Sequence, residues 1–251
     1  MAQATFEVWR GERGSGRLET FTTEVSEGMV VLDAIHQIQA EKANDLAVRW
    51  NCKAGKCGSC SAEINGHPKL LCMTRLNTLD LTQPVTVEPI KAFPHVKDLV
   101  TDVSWNFRVK KGIKKFNPRA PDAPDGTWRM QQEDVDRVQE FRKCIECFLC
   151  QDVCHVLRDH HLHEEFIGPR FVLYVAALEM HPLDTTDRLE ELRRAHGIGY
   201  CNITKCCTNV CPEGIKITDN AIIPLKERVM DEAFDPLVKL ARLVTGKVPG
   251  P

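Results

Sequence analysis

The sequence predicts an α+β protein of two domains, a sheet-bearing N-terminal one followed by an all-α one. Three observations carry this. Apolar and polar residues alternate at strand spacing in short runs through the N-terminal third. From Gln131 onward the apolar residues recur at helical spacing instead. The twelve cysteines fall into two separate groups, one in each half. A chain of 251 residues can bury two modest cores, and we place the boundary so that residues 1–104 form one domain and 105–251 the other.

Taken in order, Thr5 to Trp9 and Leu18 to Val25 form a hairpin around the glycine-rich stretch Gly11 to Gly16. That stretch lacks the lysine and hydroxyl of a phosphate loop. Val31, Leu32, Ile35 and Ile38 lie on one face of a helix over Val30 to Ala43. Ser61 to Ile64, the Asn65-Gly66 turn and the return through Leu70 and Leu71 form a second hairpin, and Val85 to Glu88 a last strand. Prolines 89, 94, 118, 121 and 124 mark a long connection, whose Lys110 to Lys115 run reads as solvated surface. Helices follow over Gln132 to Arg142, Arg170 to Met180, Thr186 to His196 and Asp219 to Ala233. The third is capped by Asp184 or Thr185 and stopped by Gly197, and the last is bent by Pro224.

Composition narrows the function classes. With 33 Lys and Arg against 35 Asp and Glu and no long basic block, nucleic acid is not an expected partner. No signal peptide is read, and the cysteines cluster at metal-binding spacings, so the expected compartment is reducing. The longest apolar run, Phe171 to Leu178, is far short of a bilayer span.

The cysteines carry the chemistry. Cys52, Cys57 and Cys60, with Cys72 following, have the Cys-x4-Cys-x2-Cys…Cys spacing of a 2Fe-2S loop. Gly55 and Gly58 let that loop wrap closely and aim amide N–H groups at sulfur. Cys144, Cys147, Cys150 and Cys154 form the Cys-x2-Cys-x2-Cys-x3-Cys run of two-cluster ferredoxins, and Cys201, Cys207 and Cys211-Pro212 repeat it with Thr204 where a cysteine would stand. The fourth cysteine of each run serves the other cluster. Cys144, Cys147, Cys150 and Cys211 are therefore expected to hold a 4Fe-4S cluster, and Cys154, Cys201 and Cys207 a 3Fe-4S cluster, since a neutral hydroxyl is a poor iron ligand. Cys206 lies off the phase of the repeat. It is either a small buried thiol or an alternative fourth ligand. Zinc at these cysteines is the competing reading.

A plant-type loop followed by a dicluster motif with one cysteine missing resembles the iron-sulfur subunits of succinate dehydrogenase and fumarate reductase. Arg49, the run Lys97-Asp98-Leu99-Val100, Asp102 and the run Phe166-Ile167-Gly168-Pro169 match as well. The resemblance implies a β-grasp, plant-type ferredoxin domain followed by a helical ferredoxin domain. It further implies a flavoprotein partner carrying FAD, a transmembrane anchor, and quinone at the interface with that anchor as electron acceptor. The expected place is peripheral, on the cytoplasmic face of the bacterial inner membrane. Where better-known members carry proline, tryptophan and histidine at the quinone end, this chain has His155, Asp159 and Asn202. His155 and Asp159, with His160, His161, His163, Glu164 and Glu165, make a titratable segment, read either as exchanging protons with quinone or contacting the anchor, or as an exposed helix face. The rival function is a soluble ferredoxin-like carrier, or the iron-sulfur subunit of another flavoprotein dehydrogenase.

Overall fold

The computed structural model describes residues 2–237 and 240. Strands β1 (Ala2–Glu12) and β2 (Ser15–Val25) pair antiparallel along their whole lengths, so Gly11 and Gly16 face each other inside the ladder. The turn is only Arg13-Gly14, and the hairpin is longer than alternation alone suggests. Ala4, Phe6 and Val8 on β1 are buried together with the strand-facing side of helix α1 (Val31–Glu41), on which Val31, Leu32, Ala34, Ile35 and Ile38 are inaccessible. Strand β3 (Ser61–Ile64) turns through Asn65 and Gly66, both at positive φ, into β4 (His67–Leu70), as an Asn-Gly hairpin requires. Strand β5 (Val85–Glu88) runs parallel to β1 and antiparallel to β3.

Two short strands, β6 (His95–Lys97) and β7 (Val100–Thr101), lie in the proline-marked stretch where the alternation is too brief to read. They complete a sheet ordered β4-β3-β5-β1-β6-β7, with β2 beside β1. The turn between them is held by Asp98, 1% exposed, which accepts from Gly11 N (3.0 Å), Ala47 N (2.8 Å) and Arg10 Nε (3.1 Å).

Helix α2 (Ser104–Gly112) also falls in what the sequence presents as a connection. Helix α3 (Gln132–Gln139) leads through a tight turn into the first cysteine run, which contains α4 (Leu149–Asp152) and α5 (His155–Arg158). Helix α6 (Gly168–Glu179) is the spine of the second core, with Phe171, Val172, Leu173, Val175 and Ala176 all buried. Helix α7 (Leu189–Arg194) is shorter than its amphipathic pattern, and neither expected residue caps it: Asp187 Oδ1 accepts from Leu189 N (2.9 Å). Asp184 instead holds the fully buried Arg188 at 2.8 Å. Gly197, at φ +58, ends this region as expected. Helix α8 (Cys206–Asn209) lies in the second cysteine run. A wide π-helical turn over Ile217–Ile222 then leads into α9 (Ile223–Phe234). Ile222 and Ile223 are both right-handed helical, so the two form one continuous run, and Pro224 sits where it changes from π to α, the irregularity expected of a proline there.

The two cores interlock. Ile90, Ala92 and Phe93 pack into the helical core, while Cys147 and Leu149 pack into the sheet core. A buried ionic group ties the halves: Glu63 on β3, fully buried, pairs with Lys91 Nζ (2.9 Å) and with Arg158. Asp152 accepts from Lys91 N (2.7 Å) and Ala92 N (2.9 Å).

Candidate iron-sulfur sites

The loop from Cys52 to Cys60 crosses between α1 and β3, with Cys72 just beyond β4. Its amides point at sulfur: Ala54 N and Lys56 N approach Cys52 Sγ at 3.4 and 3.3 Å, and Gly55 N approaches Cys72 Sγ at 3.3 Å. Gly55 is required, because it lies at φ +66 and a Cβ there would meet Met73 Sδ at 2.7 Å. Burial raises the Cys57 thiol, but hydrogen bonds from Ser59 and Cys52 outweigh it and bring the group down to about 6. Cys60 is pushed up to about 12 by burial.

The two cysteine runs of the helical half have the same backbone, position for position. Glu146 and Phe148 take left-handed conformations at φ +55 and +62, and Ile203 and Lys205 repeat them at +63 and +62. Helices α4 and α8 then start one residue after each pair. Ile203 is β-branched, for which this conformation is a strained outlier. The loop holds it to aim the flanking side chains inward. In this superposition Thr204 occupies the place of Cys147, and Cys206 that of Leu149.

Each run closes a cavity with the last cysteine of the other. Cys144, Cys147, Cys150 and Cys211 line one, with Arg170, Glu213, Phe148, Ile215 and Ile217. Cys154, Cys201 and Cys207 line the second with Cys206, Thr204, Thr218, His155 and Asn202. The structure thus brings together the cysteine sets that spacing groups. All twelve cysteines are free thiols. Burial raises Cys147 to about 12, Cys154 and Cys207 to about 11, and Cys150 well above its ordinary value. Thiolates in such places need a positive centre to stabilise them. Among the described residues no group of three or more His, Cys, Asp or Glu is placed to hold a metal ion. These donor sets suit cubane-type iron-sulfur groups.

Cys206 is half-buried, not fully buried, and shares the wall of the second cavity, with its Sγ 3.2 Å from Thr204 Oγ1. Of the quinone-end positions, His155 and Asn202 reach that cavity while Asp159 and His160 are exposed outside it. His163 serves elsewhere: its Nε2 bonds Ala92 O at 2.8 Å and its ring packs on Trp105. The Lys110 to Lys115 run is not simply solvated, because Lys110 pairs with Glu146 and Lys114 with Glu191 (3.8 Å).

The first and second centres are adjacent. Ser61 Oγ donates to Cys147 O (2.8 Å), and Gly58 is so close to the Cys144–Cys147 turn that a Cβ would lie 2.7 Å from Cys147 Cα. Sequence reasoning does not reach Arg170, Lys110, Asp152 or Glu63, whose signal was only that charged residues stand inside or beside apolar and cysteine-rich runs.

A sheet domain with one four-cysteine loop, joined to a helical domain with two cysteine-lined cavities, defines an iron-sulfur electron-transfer protein. Residues 5–108 match the family model of the 2Fe-2S iron-sulfur cluster binding domain, and residues 140–215 that of the 4Fe-4S dicluster domain. The fumarate reductase iron-sulfur subunit of Mycobacterium tuberculosis is 32% identical over 201 residues, 78% of this chain and 80% of that one. The succinate dehydrogenase iron-sulfur subunit of Paracoccus denitrificans is 27% identical over 232 residues, 90% of this chain and 88% of that one. A chain in the solved Mycobacterium smegmatis Sdh1 complex superposes with a TM-score of 0.90 at 61% identity, covering 94% of this chain and 99% of that one. The chain belongs to the family of iron-sulfur subunits of succinate dehydrogenases and fumarate reductases.

Proposed function

We propose that this chain passes single electrons within a succinate:quinone oxidoreductase, from the FAD of a flavoprotein subunit toward quinone held with a membrane anchor. The observation that carries the proposal is the pair of cavities, whose seven motif sulfurs divide four and three with the off-phase Cys206 as a further thiol on the second wall, next to a separate four-cysteine loop in contact with the first of them. Cys52, Cys57, Cys60 and Cys72 would hold the 2Fe-2S cluster; Cys144, Cys147, Cys150 and Cys211 the 4Fe-4S cluster; and Cys154, Cys201 and Cys207 the 3Fe-4S cluster. When bound, these groups supply one-electron storage, which is what links a two-electron flavin to a two-electron quinone.

The residues of the chain do the rest. Loop amides favour added negative charge on the first group, and the tight contact at Gly58 keeps the first two groups near each other. His155 and Asn202, on the wall of the three-cysteine cavity, are the quinone-side residues, with Asp159 and His160 as exposed groups able to exchange protons. The assignment of succinate as donor rests on the 61% identity to the chain of the Sdh1 complex. No helix among the described residues is long and apolar enough to cross a membrane, and we assign attachment at the cytoplasmic face of the bacterial inner membrane to an anchor subunit.

Electron paramagnetic resonance of the purified complex, oxidised and then reduced, tests this. The expected result is one signal of each cluster type and co-purification with a flavoprotein and a hydrophobic anchor. A colourless, iron-free preparation containing zinc refutes it.

A further inference from the structure

The four-cysteine cavity has a feature its sister lacks. Arg170, at the first turn of α6, is 5% exposed and forms part of the cavity wall with the four cysteines. Its Nη2 donates to Glu146 Oε1 at 2.6 Å, its backbone N donates to Gln151 Oε1 at 3.2 Å, and its guanidinium lies 5.5 Å from the centre of the Tyr174 ring. The Nε, however, is buried without any protein partner. A buried guanidinium N–H costs free energy unless something accepts from it, and the cavity is lined by sulfur. Glu146 is itself shared, since it also takes the ammonium of Lys110. Glu213 also stands on that wall and pairs with Lys56 at 3.5 Å, so three cations against two carboxylates leave a net positive charge around the cavity. The three-cysteine cavity has neutral hydroxyls there instead: Thr218 Oγ1 lies 3.4 Å from Cys207 Sγ, and Thr204 stands at the missing corner. Among the described residues the one lysine or arginine on that wall, Lys205, is exposed and pairs with Asp219 at 2.6 Å, and Lys226 Nζ, off the wall, donates to Cys201 O at 2.6 Å.

We propose that Arg170 raises the reduction potential of the four-cysteine centre, as a positioning residue whose buried charge and unpartnered Nε–H favour the electron-rich state. This rests on the ligand assignment above. Cluster potentials follow local charge and hydrogen bonding to the sulfurs, and inside a protein a full charge a few ångströms away acts with little screening. The effect is selective, because neither of the other two cysteine sets has a buried guanidinium on its wall.

The test is a redox titration of the intact complex followed by electron paramagnetic resonance, comparing wild type, Arg170→Gln and Glu146→Gln. In Arg170→Gln the four-cysteine centre becomes about tenfold harder to reduce, equivalent to about 59 mV for one electron. In Glu146→Gln it becomes easier to reduce, and the other two centres keep their midpoints in both variants. An unshifted midpoint in Arg170→Gln overturns the inference, because a merely structural arginine leaves the potential alone. If Arg170→Gln does not retain its iron, Glu146→Gln decides: a rise supports the inference and no rise overturns it. A wild-type complex with no four-iron signal overturns the ligand assignment and this inference with it, and that failure is visible before any variant is compared.

Discussion

Gly58 makes the sharpest test of how the two halves are joined. It sits at φ +65 between Cys57 and Cys60, and a Cβ would fall 2.7 Å from Cys147 Cα, 2.8 Å from Cys147 N and 2.8 Å from Ile145 O. All three are backbone atoms, so no side chain can swing aside. Gly58→Ala therefore carries two costs. The left-handed backbone is worth about 1–2 kcal/mol against a residue with a Cβ, and forced overpacking about 1–3 kcal/mol more. Together these amount to roughly 2–5 kcal/mol, or roughly 4–20 °C in melting temperature for a chain of this size. Gly66→Ala isolates the first term, because Gly66 has a similar φ of +74 and nothing within 4 Å. Thermal bleaching of the visible absorbance of the intact complex measures both. The reasoning predicts that Gly58→Ala melts well below Gly66→Ala. Equal melting of the two would refute the claim that this glycine is a point of contact between the cluster loops.

Four further outcomes follow from the same geometry. Thr204→Cys restores the place of Cys147 in a loop already bent like the first, so the oxidised three-iron signal should give way to a four-iron one; a persistent three-iron spectrum would contradict the superposition. Cys206→Ser should leave that three-iron signal intact, since Cys206 matches Leu149 and not a ligand, and loss of the signal would make the thiol a ligand. Burial lifts the Asp152 carboxyl to about 6 from an ordinary 3.8. The folded chain thus holds a proton that the unfolded chain has released, and stability falls as pH rises between about 4 and 6. Asp152→Asn keeps an acceptor for Lys91 N and Ala92 N and should flatten that slope in denaturant midpoints taken across this range; an unaltered slope would count against it. Asp98→Ala leaves Arg10 to Asp45 alone, strands two amides and should cost about 2–6 kcal/mol in denaturant unfolding, whereas a loss below about 1 kcal/mol would show the bonds to be dispensable.

What the sequence discloses here depends on distance along the chain. Ligand spacing is local, so Cys144, Cys147 and Cys150 declare themselves, and the fourth-ligand exchange with Cys211 follows because a cubane needs thiolates from several directions. Helix α1 and the Asn65-Gly66 hairpin are equally local and lie where alternation and turn chemistry put them. The strands β6 and β7 do not, being too short for any period to register, and their turn is fixed by Asp98 reaching back to Gly11 and Ala47. The same holds for the electrostatics of the four-cysteine cavity. Arg170 stands in an apolar run whose pattern declares only a buried helix, and its meaning appears once α6 is laid against the Cys144–Cys150 turn, bringing the guanidinium to Glu146. Lys110 reaches the same carboxylate from a run that reads as surface. A motif therefore specifies which atoms can hold iron, while the charges that set how readily the iron accepts an electron come from elements that only the fold brings together. Relatives with the same cysteine spacing are free to differ in potential through residues such as Arg170.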